Sequence, residues 1–113
     1  MPDKDKLLNE FNQTLPCPVR DFKLFKTAFV HSSYLNEKGA DGFQSNERLE
    51  FLGDSVLSCV IGSLLYERFP GGDEGELTGM RARLVNKKTL YEIARRLGLG
   101  DIVLLGKGEK NSG

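Results

Sequence analysis

The stretch Asn46-Glu47-Arg48-Leu49-Glu50-Phe51-Leu52-Gly53-Asp54-Ser55 brings three carboxylates into what reads as the most apolar helix of the chain. At about 100° of rotation per residue, Glu47, Glu50 and Asp54 fall within about 60° of helix circumference. Leu57, Ile61 and Leu65 continue that face, while Leu49, Leu52, Val56, Cys59, Val60 and Leu64 fill the neighbouring stripes. A helix that is apolar nearly all round predicts a core element. Carboxylates entering a core have to be neutralised, paired or coordinated to a cation. Spacing leaves two readings open. In one, the acids are half of a site for Mg²⁺ or Mn²⁺, hard cations that take one or two carboxylates directly and keep several waters. In the other, Glu47 and Glu50 sit at the positive end of the helix dipole, and Arg48 and Asp54 form an exposed pair.

Outward from this stretch, the breakers divide the chain into helical segments. Asp5 to Thr14 carries Leu7, Leu8, Phe11 and Leu15 at helical spacing and is ended by Pro16-Cys17-Pro18. Asp21 caps a second helix bearing Phe22, Phe25, Ala28 and Phe29. Residues 39–45 read as a polar, Gly-containing loop. Asn46 is the expected cap of the central helix, which runs to about Arg68 before Pro70-Gly71-Gly72. Thr78 is the expected cap of a helix through Asn86, and Thr89 that of another over Leu90 to Leu97, with Gly98 just beyond. Only Ile102 to Leu105 looks strand-like, too short for a sheet. The expected fold is all-α, a single domain over residues 1–113 without internal repeats.

The run from Glu47 to Ser55 resembles the signature of the ribonuclease III catalytic domain: an acidic or Gln residue, Arg, Leu, Glu, an aromatic, Leu, Gly, Asp and a small residue, matched over nine successive positions. The resemblance extends to Phe22 to Tyr34, to Glu74-Gly75-Glu76-Leu77-Thr78 with Arg81 to Asn86, and to Leu105-Gly106-Lys107-Gly108-Glu109. It implies a ribonuclease III endonuclease-like helical domain that hydrolyses phosphodiesters of double-stranded RNA, leaving 5′ phosphate and 3′ hydroxyl ends. By the same resemblance Glu50 and Asp54 are the catalytic metal ligands. The implied cofactor is Mg²⁺, with Mn²⁺ a possible substitute; Glu47 and Glu74 stand beside the ligands or against RNA. Phe51, with Ser55, Ser58 and Gly62 as angular neighbours, matches the aromatic that enters a second subunit, so a homodimer is expected.

The chain departs from the family pattern in one respect. The family's second Asp-x-x-Glu pair, on a later helix, has no counterpart after Thr78, where the acids are Glu92, Asp101 and Glu109. The expectation is a catalytic domain incomplete at its C-terminal end, truncated before the second acidic pair and without a double-stranded RNA-binding domain. The alternative is a noncatalytic dimerising or RNA-binding module of the same fold.

Composition is compatible with both. The chain has 113 residues, 39% hydrophobic and 28% charged, with a formal net charge of zero, which is ordinary globular content. Residues 1–79 carry 8 basic and 13 acidic side chains, residues 80–113 carry 8 and 3. The basic part includes Arg81, Arg83, Lys87, Lys88, Arg95 and Arg96, which suit phosphate contacts or simply solvated helix faces. Cys17 and Cys59 give neither a disulfide framework nor metal-ligand spacing, and Cys59 is expected in the core. His31, the sole histidine, reads as a helix-end or packing residue. The charged N-terminus has no signal-peptide pattern, no stretch is expected to span a membrane, and a reducing cytoplasmic location is the expectation.

Overall fold

The structure, a computed structural model, describes residues 3–38 and 44–108 and consists of helices. In chain order these are α1 (Lys4–Thr14), α2 (Phe22–Thr27), α3 (Ser32–Lys38), α4 (Glu47–Arg68), α5 (Glu74–Leu84) and α6 (Lys87–Arg96), followed by a 3-10 turn at Leu99–Asp101. Two compact units divide them: Met1–Glu50 with Gly100–Gly113, and Phe51–Leu99. The division falls inside α4, just after Glu50.

In the first unit, Asp3 caps α1 by accepting from the Asp5 and Lys6 amides, so that the helix starts one residue before the expected Asp5; Asp21 caps α2 by accepting from Leu24 N–H at 3.1 Å, as the sequence predicts. α1 turns Leu8 and Phe11 inward. Leu8 is fully buried, and Phe11, Phe25 and Phe29 form an aromatic cluster with centroid separations of 6.5, 6.1 and 5.2 Å. Two of these pairs are edge-to-face, the arrangement ring quadrupoles favour. The loop after α1 is closed by the buried Asn12, whose Nδ2 donates to the Val19 carbonyl and whose Oδ1 accepts from Val19 N–H, both at 2.8 Å.

The segment around Phe22 to Tyr34 is two short helices rather than one. α2 ends at Thr27 and the chain passes through a turn into an isolated parallel bridge, Val30 to Leu104. Leu104 N–H donates to the Phe29 carbonyl at 2.7 Å and His31 N–H to the Leu104 carbonyl at 3.0 Å. This bridge is what becomes of the strand-like Ile102 to Leu105; among the described residues there is no strand. Ile102 is buried, as is Val30.

In the second unit, the limits of α4 fall where the breakers put them, but α5 and α6 begin earlier than Thr78 and Thr89. Asp73 and Glu76 make a capping box for α5: Asp73 Oδ1 accepts from Glu76 N–H at 2.8 Å, and Glu76 Oε2 accepts from Asp73 N–H at 3.3 Å. Asn86 caps α6 by accepting from Thr89 N–H at 2.8 Å, and its Nδ2 donates back to the Ala82 and Arg83 carbonyls at the end of α5. The stronger caps, an Asp with a reciprocal Glu and an Asn, win over threonine. Gly98 follows α6 with φ 71°, a left-handed conformation that glycine adopts without a Cβ penalty.

Three expectations about α4 are corrected. It is not a buried core helix: Leu65 is its one buried residue, and Leu52, Val56, Val60 and Leu64 are exposed. Cys59, expected in the core, is exposed too. An apolar pattern shows that a helix needs a partner surface, without showing that the same stretch of chain supplies it. Third, α4 is by length and composition apolar enough to cross a membrane, a property the sequence reading denied to every segment. The loop expected at residues 39–45 lies outside the described residues over 39–43, as does Glu109 of the Gly-rich turn.

Candidate active site

The acidic face of α4 starts at the helix's first residue. Glu47 and Glu50 belong to the first turn and Asp54 stands one turn beyond Glu50, so Glu50 and Asp54 occupy the i, i+4 positions that lie side by side on a helix surface. Glu47, Glu50 and Asp54 are all exposed, which overturns the expectation of carboxylates entering a core. Among the described residues none of the three is in an ion pair, so the Arg48–Asp54 pairing does not form. Glu47 N–H finds the Ser45 Oγ at 3.4 Å.

Asn46 departs from its expected role as a side-chain cap. Its Nδ2 donates to the Ala28 carbonyl at 3.1 Å and its backbone N–H to the Val30 carbonyl at 2.7 Å, while its own carbonyl accepts from Glu50 N–H at 2.7 Å. Sequence reasoning missed this tie because its partners are backbone carbonyls remote in sequence. Phe51, next after Glu50 on α4, is 79% exposed.

Glu74 is exposed in the first turn of α5, where its charge is favoured by the helix dipole; it is a helical residue rather than a loop acid. Asp73 and Glu76 on either side of it have Asp-x-x-Glu spacing, which corrects the expectation that the chain holds no such pair. Both carboxylates are engaged in capping α5. The basic side chains divide between α5, with Arg81 and Arg83, and α6, with Lys87, Lys88, Arg95 and Arg96. Among the described residues none of them is ion-paired. The Arg81 guanidinium lies over Gly62 of α4, with Nη1 3.4 Å from where a Cβ would stand.

His31 is at the start of α3, as expected of a helix-end residue. Its Nδ1 accepts from Ser33 N–H at 3.1 Å and is 2.7 Å from Ser33 Oγ. Because Nδ1 accepts from the amide, the Ser33 hydroxyl donates to it and in turn accepts from Gly106 N–H at 2.9 Å. The imidazole is committed to structure rather than to chemistry.

Chemically, Glu50 and Asp54 offer hard oxygen donors one turn apart, a fit for a divalent cation that keeps several waters. Among the described residues no group of three His, Cys, Asp or Glu side chains converges to enclose a metal ion. The two carboxylates thus stand as a pair on the α4 surface, without a third such ligand among the described residues.

The family profile described as Ribonuclease-III-like matches residues 21–113. Ribonuclease 3 of Oleidesulfovibrio alaskensis is 53% identical over 93 residues, which are 82% of this chain and 40% of that protein. Ribonuclease 3 of Bacillus velezensis is 43% identical over 110 residues, 97% of this chain and 44% of that one. The chain thus spans about two fifths of the length of the curated relatives it matches. Among solved structures, the nuclease domain of ribonuclease III from Campylobacter jejuni superposes with a TM-score of 0.82 at 39% identity, covering 94% of this chain and 70% of that domain; structural flexibility is described there in a region involved in dimer formation. With the signature on α4 and the all-α architecture of these neighbours, the chain belongs to the ribonuclease-III-like family.

Proposed function

We propose that this chain is part of an endoribonuclease that hydrolyses phosphodiesters of double-stranded RNA with the help of a divalent cation. The observation that carries the reading is the pair of exposed carboxylates, Glu50 and Asp54, one turn apart on the signature helix of a chain with this family membership. In this reading Glu50 and Asp54 hold the cation, Mg²⁺ or in its place Mn²⁺. Such a cation supplies Lewis-acid stabilisation of charge at phosphorus and lowers the pKa of a bound water. In the hydrolysis itself a water oxygen bonds to phosphorus and the bond from phosphorus to the 3′ oxygen breaks. The phosphate stays on the 5′ end, and the released 3′ oxygen takes a proton.

Glu47 and Glu74 are assigned to orienting those waters or meeting the RNA. The unpaired basic side chains of α5 and α6 suit backbone phosphates of a duplex. Phe51 and the exposed apolar stripe of α4 are assigned to a second copy of the chain: an aromatic that is 79% exposed on a helix with one buried residue suits burial in a two-fold interface. A cytoplasmic setting belongs to the same reading and is supported by two exposed free cysteines, which suit a reducing compartment.

The test is cleavage of a long RNA duplex by this chain with Mg²⁺ and with chelator, beside the Glu50→Ala/Asp54→Ala variant. Metal-dependent cutting that the double substitution abolishes supports the assignment. Cutting that survives it sinks the assignment of these two carboxylates. The specific observation favouring a second reading, a noncatalytic module of the same fold, is that no three-acid cluster forms among the described residues. Duplex binding without cleavage, unchanged by chelator, is its expected result.

A further inference from the structure

The first intrahelical hydrogen bond of α4 is the one from the Glu50 amide to the Asn46 carbonyl, at 2.7 Å. The peptide that receives Glu50 is itself tied down twice. Asn46 N–H donates to the Val30 carbonyl at 2.7 Å, and Asn46 Nδ2 donates to the Ala28 carbonyl at 3.1 Å. Both acceptors lie in the segment that closes α2, where Ala28 is the last residue of the helix end and its carbonyl lacks an intrahelical partner. That segment is a firm anchor. Val30 is buried and is flanked by the two backbone bonds to Leu104.

The start of a helix is where its amides lack partners and where it unwinds first. The other side-chain contact at this end among the described residues, Ser45 Oγ to Glu47 N–H, is long at 3.4 Å. Glu50 and Asp54 are aligned only while the turn between Asn46 and Glu50 is helical, because the i, i+4 neighbourhood exists only in helical register. Loss of that turn leaves Asp54 on the helix and swings Glu50 away.

We infer that Asn46 is a positioning residue for Glu50: its side-chain amide pins the first turn of α4 to the Ala28 carbonyl, so that Glu50 and Asp54 face one divalent cation together. The inference rests on the function proposed above, since it needs the pair to take a cation. It assigns to Asn46 no contact with metal or RNA.

The test is a Mg²⁺ titration of the full chain followed by the side-chain carboxyl ¹³C signals of Glu50 and Asp54, with thermal unfolding recorded alongside. It compares the unaltered chain with Asn46→Ala and with Asn46→Ser, whose hydroxyl is a good N-cap acceptor but lacks the Nδ2 donor. In the unaltered chain both signals are expected to move with one shared midpoint. In both variants the cooperative unfolding transition persists, the midpoint rises about tenfold or more, as for loss of other groups that orient metal ligands, and Glu50 no longer titrates together with Asp54. Shared midpoints within about twofold of the unaltered chain overturn the inference and leave the proposed function standing. If neither signal moves in the unaltered chain, the cation pair itself fails and the inference goes with it. If both variants lose cooperative unfolding, Asn46 is a determinant of the fold and its role as a positioning residue is overturned.

Discussion

Asn12 shows how much a single polar side chain decides in this chain. The sequence after α1 reads Pro16-Cys17-Pro18, and neither proline has an N–H with which to tie the loop back. Asn12, 3% exposed, supplies both halves of the missing pairing, one bond to each backbone polar atom of Val19. Asn12→Ala removes two bonds and leaves a partly buried peptide unsatisfied, so a loss of about 2–3 kcal/mol is expected from urea denaturation. His31 acts in a similar way at α3, joining its own helix through Ser33 to the Gly106 amide. His31→Ala is expected to cost about 1–2 kcal/mol, the range for losing a helix cap, read as a lower urea midpoint with an unchanged slope. Both residues were visible as letters in the sequence. Their partners were not, because a side chain that satisfies a distant backbone group leaves no spacing pattern.

Helix α5 separates a cap readable in the sequence from the one that was read. Asp73 and Glu76 have the capping-box spacing, yet Thr78, a capping residue type beyond the Pro70-Gly71-Gly72 breaker, is the start expected from the sequence. The structure gives the cap to Asp73. Asp73→Ala should therefore cost about 1 kcal/mol of stability, whereas Thr78→Ala, exposed inside the helix, should stay within about 0.5 kcal/mol; thermal unfolding of the two variants distinguishes the assignments. Helix α4 poses a different question, because its limits were legible and its environment was not. Phe51 touches little within the chain at 79% exposure. Phe51→Ala is thus expected to leave the unfolding free energy of the separated chain within about 0.5 kcal/mol while lowering the dimer mass seen by sedimentation. An unchanged dimer mass would remove Phe51 from the interface.

For the molecule as a whole, burial is uneven. The first unit holds Leu8, Asn12, Phe25, Phe29, Val30 and Ile102, whereas in the second Leu65 is buried and α5 and α6 contain no buried residue. Local opening follows the density of buried apolar contacts, so amide hydrogen exchange is expected to be slowest in α1 and α2 and fastest in α5 and α6. Slower exchange in α6 than in α1 would contradict that order. Charge is uneven in a related way: α6 carries a basic surplus, while α5 places its acids in the first turn and its arginines in the last. If those side chains hold duplex phosphates, the affinity for RNA falls steeply with salt, with a slope of about −0.9 per phosphate neutralised on a B-form duplex and of similar order here. Replacing Arg95 and Arg96 by alanine should make that slope shallower.

The helical class, the limits of α4, the family and the identity of the acids on the signature helix are all legible in the order of residues. Each is set locally, by residue spacing against a fixed helical period, by proline and glycine breakers, and by a motif of nine adjacent positions. Helix starts were legible where one strong cap stood alone, as at Asp21, and were misplaced where two candidates competed, as at Asp73 and Thr78. It took the folded chain to show that the acids are exposed rather than buried, that Ile102 to Leu105 makes one bridge instead of a strand, and that Asn46 ties α4 to Ala28 and Val30. The reason is that burial and long-range hydrogen bonding depend on which surfaces meet. A helical period states that a face is apolar or acidic and leaves open what will cover it.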